Sequence, residues 1–152
     1  MFDDFDDDPR LPASLRAYRA WSNRPYTDDE ARDLLATFAA RRAAFDAVLA
    51  EAGLTDRVTC PCCAFPGLPE HGRFDICNAC GWEDDGLDDP NVNSRSPANG
   101  PTLTDARLSL GRHTRPDVRN LSGDDDLSWV DEWVTRFPPE LAAALRAAAA
   151  II

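Results

Sequence analysis

The chain has 152 residues, 43% hydrophobic and 28% charged, the make-up of one small globular domain with helical additions rather than of a two-domain enzyme. Its 27 acidic residues stand against 16 arginines and no lysine, a net charge of −11. That balance disfavours a broad nucleic-acid-binding surface and excludes a catalytic lysine in either a Schiff base or a P-loop. No apolar run approaches the ~20 residues that span a bilayer, and the first residues are acidic where a signal peptide would be basic, so no membrane partner and a cytoplasmic location are expected.

In chain order, residues 1–10 read as an acidic tail, with Asp3, Asp4, Asp6, Asp7 and Asp8 around Phe5. Residues 11–55 read as a helical hairpin. Its first arm carries Leu11, Leu15, Tyr18 and Trp21 and stops at Asn23-Arg24-Pro25. Thr27 and Glu30 form a capping box at the start of the second arm. From there Ala31, Leu34, Leu35, Phe38, Phe45, Val48, Leu49 and Ala52 share a face, with Asp33, Arg41 and Asp46 off it, and Gly53 ends the helix. The composition then changes, and residues 56–112 read as a metal module with short strands at 57–59 and 73–76 paired as a β-hairpin. Thr104 is expected to cap a short helix through Leu110. Residues 113–152 supply C-terminal helices that pack on the rest: one bears Trp129, Val130, Trp133, Val134 and Phe137, and the next opens at Pro138-Pro139. Trp129 and Trp133, four apart, share a face.

All five cysteines fall between residues 60 and 80. An odd, clustered set is no disulfide framework and points to metal in a reducing compartment. Cys60 with Cys63 and Cys77 with Cys80 make two CxxC steps, a spacing that aims two thiolates of one tight turn at a single ion. Together they close a tetrahedral site. Zinc suits four soft thiolates best, and iron of the rubredoxin type satisfies the same geometry. Cys62 fits the turn less well and is read as an accessory, non-ligand thiol. A closed site of this kind predicts folding rather than chemistry. His71, in the loop between the knuckles, is read as an exposed turn residue, and neither it nor His113 completes a catalytic arrangement. Glu83, Asp84, Asp85, Asp88 and Asp89 follow Trp82 as a solvated acidic loop without the ligand order of an EF-hand.

These residues together resemble the bacterial cysteine-rich CPCC domain family. The resemblance runs through Cys60-Pro61-Cys62-Cys63, Phe74-Asp75-Ile76-Cys77, Cys80, Trp82-Glu83-Asp84-Asp85, Asp89-Pro90, Ala98-Asn99-Gly100 and Leu103-Thr104-Asp105-Ala106-Arg107, over about residues 58–110. Ala64 stands where the family has glycine, Asn78 where it has proline, and no glycine pair precedes Asn99. The resemblance implies a zinc-ribbon-like metal module and carries no activity to transfer. In such a domain Arg107 is expected to turn back from its helix onto the carboxylates of the Trp82-Glu83-Asp84-Asp85 segment.

The expected fold class is therefore α+β: a small four-cysteine zinc-ribbon-like module with a short β-hairpin, flanked by an N-terminal helical hairpin and C-terminal helices. The expected function is that of a non-enzymatic zinc protein acting through a protein partner. Its sharper form is an inhibitor or immunity-type protein whose carboxylates steer it onto a basic surface. The alternatives are an enzyme, using either Cys62 for thiol redox chemistry or the acidic loop for a hydrolytic metal, and a nucleic-acid-binding ribbon. The last would need Arg112, Arg115 and Arg119 as a patch, and the charge balance disfavours it.

Overall fold

The first long helix, α1 (Asp28–Ala52), starts where its sequence says it should. Thr27 is extended, and its Oγ1 accepts from the Glu30 amide at 3.1 Å. Asp28, Asp29 and Glu30 place negative charge in the first turn, and Gly53 ends the helix at φ 66°. The computed structural model describes residues 10, 12–13, 16–17, 20, 24–88, 95–114 and 128–152, with the side chains of 113, 114, 128 and 129 also outside this set. The acidic tail over 1–9, the first-arm face of Leu11, Leu15, Tyr18 and Trp21, and Asp89, Arg115, Arg119 and the Trp129 side chain thus lie outside the described residues.

Two expectations for α1 are corrected. Its buried stripe is Leu34, Phe38, Arg41, Phe45 and Leu49, so Arg41 lies inward and is 4% exposed rather than off the apolar face. The Glu30 carboxylate, expected to turn back to the Thr27 amide, is gripped by Arg112 with Nε and Nη2, each at 2.9 Å. Arg112 is fully buried, stacks 3.8 Å from the Tyr26 ring centroid and donates to the Arg24 carbonyl at 2.6 Å. It belongs to the core and offers nothing to a nucleic-acid patch.

Helix α2 (Leu103–Thr114) packs against α1. Its cap is Thr102, whose Oγ1 accepts from the Asp105 amide at 3.1 Å, two residues before the expected Thr104. Helix α3 (Ser128–Val134) is followed by a 3-10 turn (Pro139–Leu141) and α4 (Ala142–Ala149), which packs on both α1 and α3. Pro139 opens the turn as its fixed φ allows. An aromatic cluster joins these parts. Phe65 lies 4.8 Å from Phe45 and 5.3 Å from Trp133, and Trp133 lies 4.7 Å from Phe137.

The β-hairpin is the main departure from the expected fold class. Among the described residues no strand forms, and the regular structure is helical: this is a small cysteine-rich helical protein. Three isolated antiparallel bridges remain, Val58 with Leu68, Ile76 with Glu83, and Arg95 with Thr102. Segments 57–59 and 73–76 do not form the expected hairpin. The first bridges across the Cys60–Cys63 turn and the second across the Cys77–Cys80 turn. Pro61, Pro66 and Pro69 lack the N–H groups a ladder needs, and Phe74 at φ 59° turns the chain before a strand can lengthen.

Candidate metal centre

Each knuckle is a tight turn closed by its own backbone. Ala64 donates to the Cys60 carbonyl and Gly81 to the Cys77 carbonyl, both at 2.9 Å. Both of these donors are left-handed, at φ 73° and φ 82°. Gly81 takes that conformation freely, whereas Ala64 holds it with a Cβ in place. The turns aim amides at sulfur: Cys62 N–H at Cys60, Ala79 N–H at Cys77 and Trp82 N–H at Cys80, each at 3.4 Å.

The sulfurs of Cys60, Cys63, Cys77 and Cys80 all lie within 4.8 Å of one another, and the five cysteines form no disulfide. Cys60 to Cys80 and Cys63 to Cys77 are each 3.7 Å. A tetrahedron with metal–sulfur bonds near 2.3 Å has edges of about 3.8 Å, so the four residues fit a single ion. Burial pushes the Cys63 thiol up, while hydrogen bonds from Cys60, Cys63 and Cys80 hold Cys77 down. A bound cation would relieve the repulsion between four closely spaced thiolates and supply the Lewis acid that keeps them deprotonated.

Three arginines surround this cluster, and sequence reasoning missed two of them. Arg41 donates from Nε to the Cys63 carbonyl at 3.0 Å and from Nη1 to the Ile151 carbonyl at 2.9 Å. Burial lowers its pKa, against the opposing pull of Cys63 and Cys62. Arg42 reaches Thr59 with Nε at 3.1 Å and takes Asp88 with both terminal nitrogens at 2.7 Å. Arg107 donates to the Pro61 carbonyl at 2.6 Å and to Asp88 at 3.0 Å. All three guanidiniums border the Phe38 ring, Arg107 most closely at 4.3 Å. The adjacent Arg41-Arg42 pair, set between Phe38 and Phe45 on an otherwise apolar stripe, was the available signal.

The side chains of Asp84, Asp85 and Asp88 are anchored rather than simply solvated. Asp84 is 1% exposed and accepts from the amides of Gly72 at 2.9 Å and Gly86 at 3.2 Å. His71 stays exposed, with Nδ1 3.3 Å from the same carboxylate, outside the sulfur cluster. Asp85 accepts from the Leu87 amide and from Ser96 Oγ at 2.6 Å, and Asn99 clamps the Glu83 backbone from both sides. Arg107 therefore meets Asp88, and not the carboxylates of Glu83, Asp84 or Asp85 as expected. Burial raises the Asp88 pKa, but Arg42 and Arg107 outweigh it and hold the carboxyl below its usual value.

The departures from the family pattern also acquire a physical role. Asn78 accepts from the Trp133 indole at 3.2 Å and donates its amide to the Gly67 carbonyl at 3.3 Å, a bond proline could not make. Cys62 is buried beside the cluster but is not among its four ligating positions.

No curated protein and no solved structure matches the chain. The family model described as cysteine-rich CPCC matches residues 58–117, a stretch that holds both knuckles, the anchored acidic loop and Arg107. Over residues 58–117 the chain is thus similar to the cysteine-rich CPCC family.

Proposed function

We propose that the chain is a non-enzymatic zinc protein whose metal holds together a module that binds a basic protein surface. Zinc is favoured because four thiolates at tetrahedral spacing suit an ion with no redox liability. Four ligands leave no position for a substrate. The carboxylates of Asp84, Asp85 and Asp88 accept hydrogen bonds from their own chain, which leaves little for a second, hydrolytic ion.

The observation that carries the partner reading is the pair Phe74 and Ile76, 60% and 65% exposed. Phe74 is held at φ 59°, a conformation that costs a non-glycine residue about 1–2 kcal/mol, so its exposure is maintained at a cost to stability. Beside it runs a shallow groove of about 590 Å³, lined by Phe74, Leu87, Pro97 and Ala98 with Asp85 and Arg95. Asp75 lies between the two exposed side chains in sequence and Glu83 opposite Ile76, which puts carboxylates beside the apolar pair, with Arg73 and Arg95 on its other side. A net charge of −11 opposes a second copy of this chain and attracts a basic partner.

Elemental analysis of the purified protein is expected to return one zinc per chain, and iron in its place would overturn the zinc assignment. For the partner, the decisive variant is Phe74→Gly, which relieves the left-handed strain. It is expected to keep its metal and its melting temperature while losing a basic protein that the unaltered chain retains in a salt-sensitive manner. Retention of every partner by Phe74→Gly and by Ile76→Ser, or self-association that these changes abolish, would overturn the reading.

A further inference from the structure

Three of the four ligating cysteines are buried, whereas Cys80 is half-buried. Cys80 lines an open groove of about 610 Å³ between the second knuckle and α2, walled by Tyr26, Pro101, Ala106 and Leu110. Cys62, the fifth thiol, lines the same groove. Two thiols therefore share one solvent-open groove, and only one of them belongs to the metal set. The groove admits a small oxidant to the most exposed cysteine of the cluster and carries a second cysteine in the same wall.

We propose that Cys62 and Cys80 form a peroxide-responsive pair, in which oxidation to a Cys62–Cys80 disulfide withdraws one ligand and releases the metal. The Cys80 sulfur attacks a hydroperoxide: an S–O bond forms, the O–O bond breaks, and the departing oxygen takes a proton and leaves as water or alcohol. The Cys62 sulfur then attacks the resulting sulfenic acid at Cys80. The S–S bond forms, the S–O bond breaks, and water carries away the Cys62 proton. The two sulfurs together give up two electrons, which the peroxide receives. Three thiolates remain, too few to close the tetrahedral site. Reductant reverses the step, since no sulfur passes beyond the disulfide.

The inference rests on Cys80 being a metal ligand, and the test separates the two. Metal content is measured first on the untreated full chain, and a metal-free protein after loading with zinc would overturn the ligand reading. The loaded protein is then treated with hydrogen peroxide while released zinc is followed with a chromogenic chelator and the products are mapped by mass spectrometry. The expected product lacks two hydrogen masses and links Cys62 to Cys80. Cys62→Ala, which keeps all four ligands, is expected to release zinc more slowly by about tenfold or more, because it lacks the resolving thiol. Release at an unchanged rate from Cys62→Ala, or a disulfide among the four cluster cysteines, including Cys60–Cys80 whose sulfurs lie 3.7 Å apart, would overturn the proposal. Should Cys62→Ala fail to load zinc, the disulfide map of the unaltered chain decides alone.

Discussion

Arg107 donates its Nε to the carbonyl of Pro61 at 2.6 Å, so a helix outside the cysteine-rich turns holds the first of them by its backbone. The same guanidinium bonds Asp88 at 3.0 Å and stacks on Phe38. Arg107→Ala removes a charged donor from a buried carbonyl and is expected to cost about 2–3 kcal/mol. Arg107→Lys should recover only part of this, because an ammonium cannot serve a carbonyl, a carboxylate and a ring together as a planar fork does. Urea unfolding of the metal-loaded proteins measures both, and a midpoint for Arg107→Lys equal to that of the unaltered chain would refute the geometric account.

Gly67 touches the metal centre through what it lacks. A Cβ there would lie 2.6 Å from the Cys77 sulfur and 2.8 Å from Asn78 Oδ1. Gly67→Ala must therefore displace a ligating sulfur, and zinc affinity in a chelator competition is expected to fall by about 10- to 100-fold, the range seen when a ligand's support is lost. Unchanged affinity would mean that Cys77 does not bind the ion in this position.

Gly81 tests backbone strain apart from packing. It sits at φ 82° with nothing within 4 Å of where a Cβ would be, so Gly81→Ala should cost about 1 kcal/mol and leave metal binding intact. Ala64 already bears the matching strain at φ 73°, and its Cβ is buried. Ala64→Gly should consequently be close to neutral, the relief of strain offsetting about 0.8 kcal/mol of lost methyl burial. Thermal unfolding of the two variants separates these expectations.

Metal removal is expected to reach beyond the knuckles. Cys63 and Pro61 present their carbonyls to Arg41 and Arg107 only while the turn is formed, and Arg41 also holds the carbonyl of Ile151. Chelation should thus lower the melting temperature and erase the near-ultraviolet circular-dichroism signal of the packed Trp82 and Trp133. Part of the α1 signal at 222 nm should persist, because the Thr27 and Gly53 caps are local. A metal-free protein with unaltered spectra and melting would contradict a structural role.

The four-cysteine cluster and the caps of α1 were legible because each depends on neighbours in sequence: a CxxC step, Thr27 before Glu30, Gly53 after Ala52. The roles of Arg41, Arg112 and the acidic loop were not, since each is decided by a partner far along the chain. Arg41 reads as polar on any helical wheel, and only the carbonyls of Cys63 and Ile151 offset the cost of its burial. Asp84 and Asp85 read as solvent-facing until Gly72, Gly86 and Ser96 come within reach. The expected β-hairpin failed for a related reason. Short apolar segments at 57–59 and 73–76 carry no information about which residue faces them, and the knuckles supplied nearer ones.

Because Val58 meets Leu68 and Ile76 meets Glu83, the knuckles are fastened across spans of only ten and seven residues. Loop closure over so short a distance is cheap, and neither turn has to wait for a long-range sheet to assemble. Capture of the ion can accordingly proceed in two stages, one dithiolate turn holding it while the other arrives, so that the order of binding during synthesis follows the order of the chain: Cys60 and Cys63 first, Cys77 and Cys80 as soon as they are made.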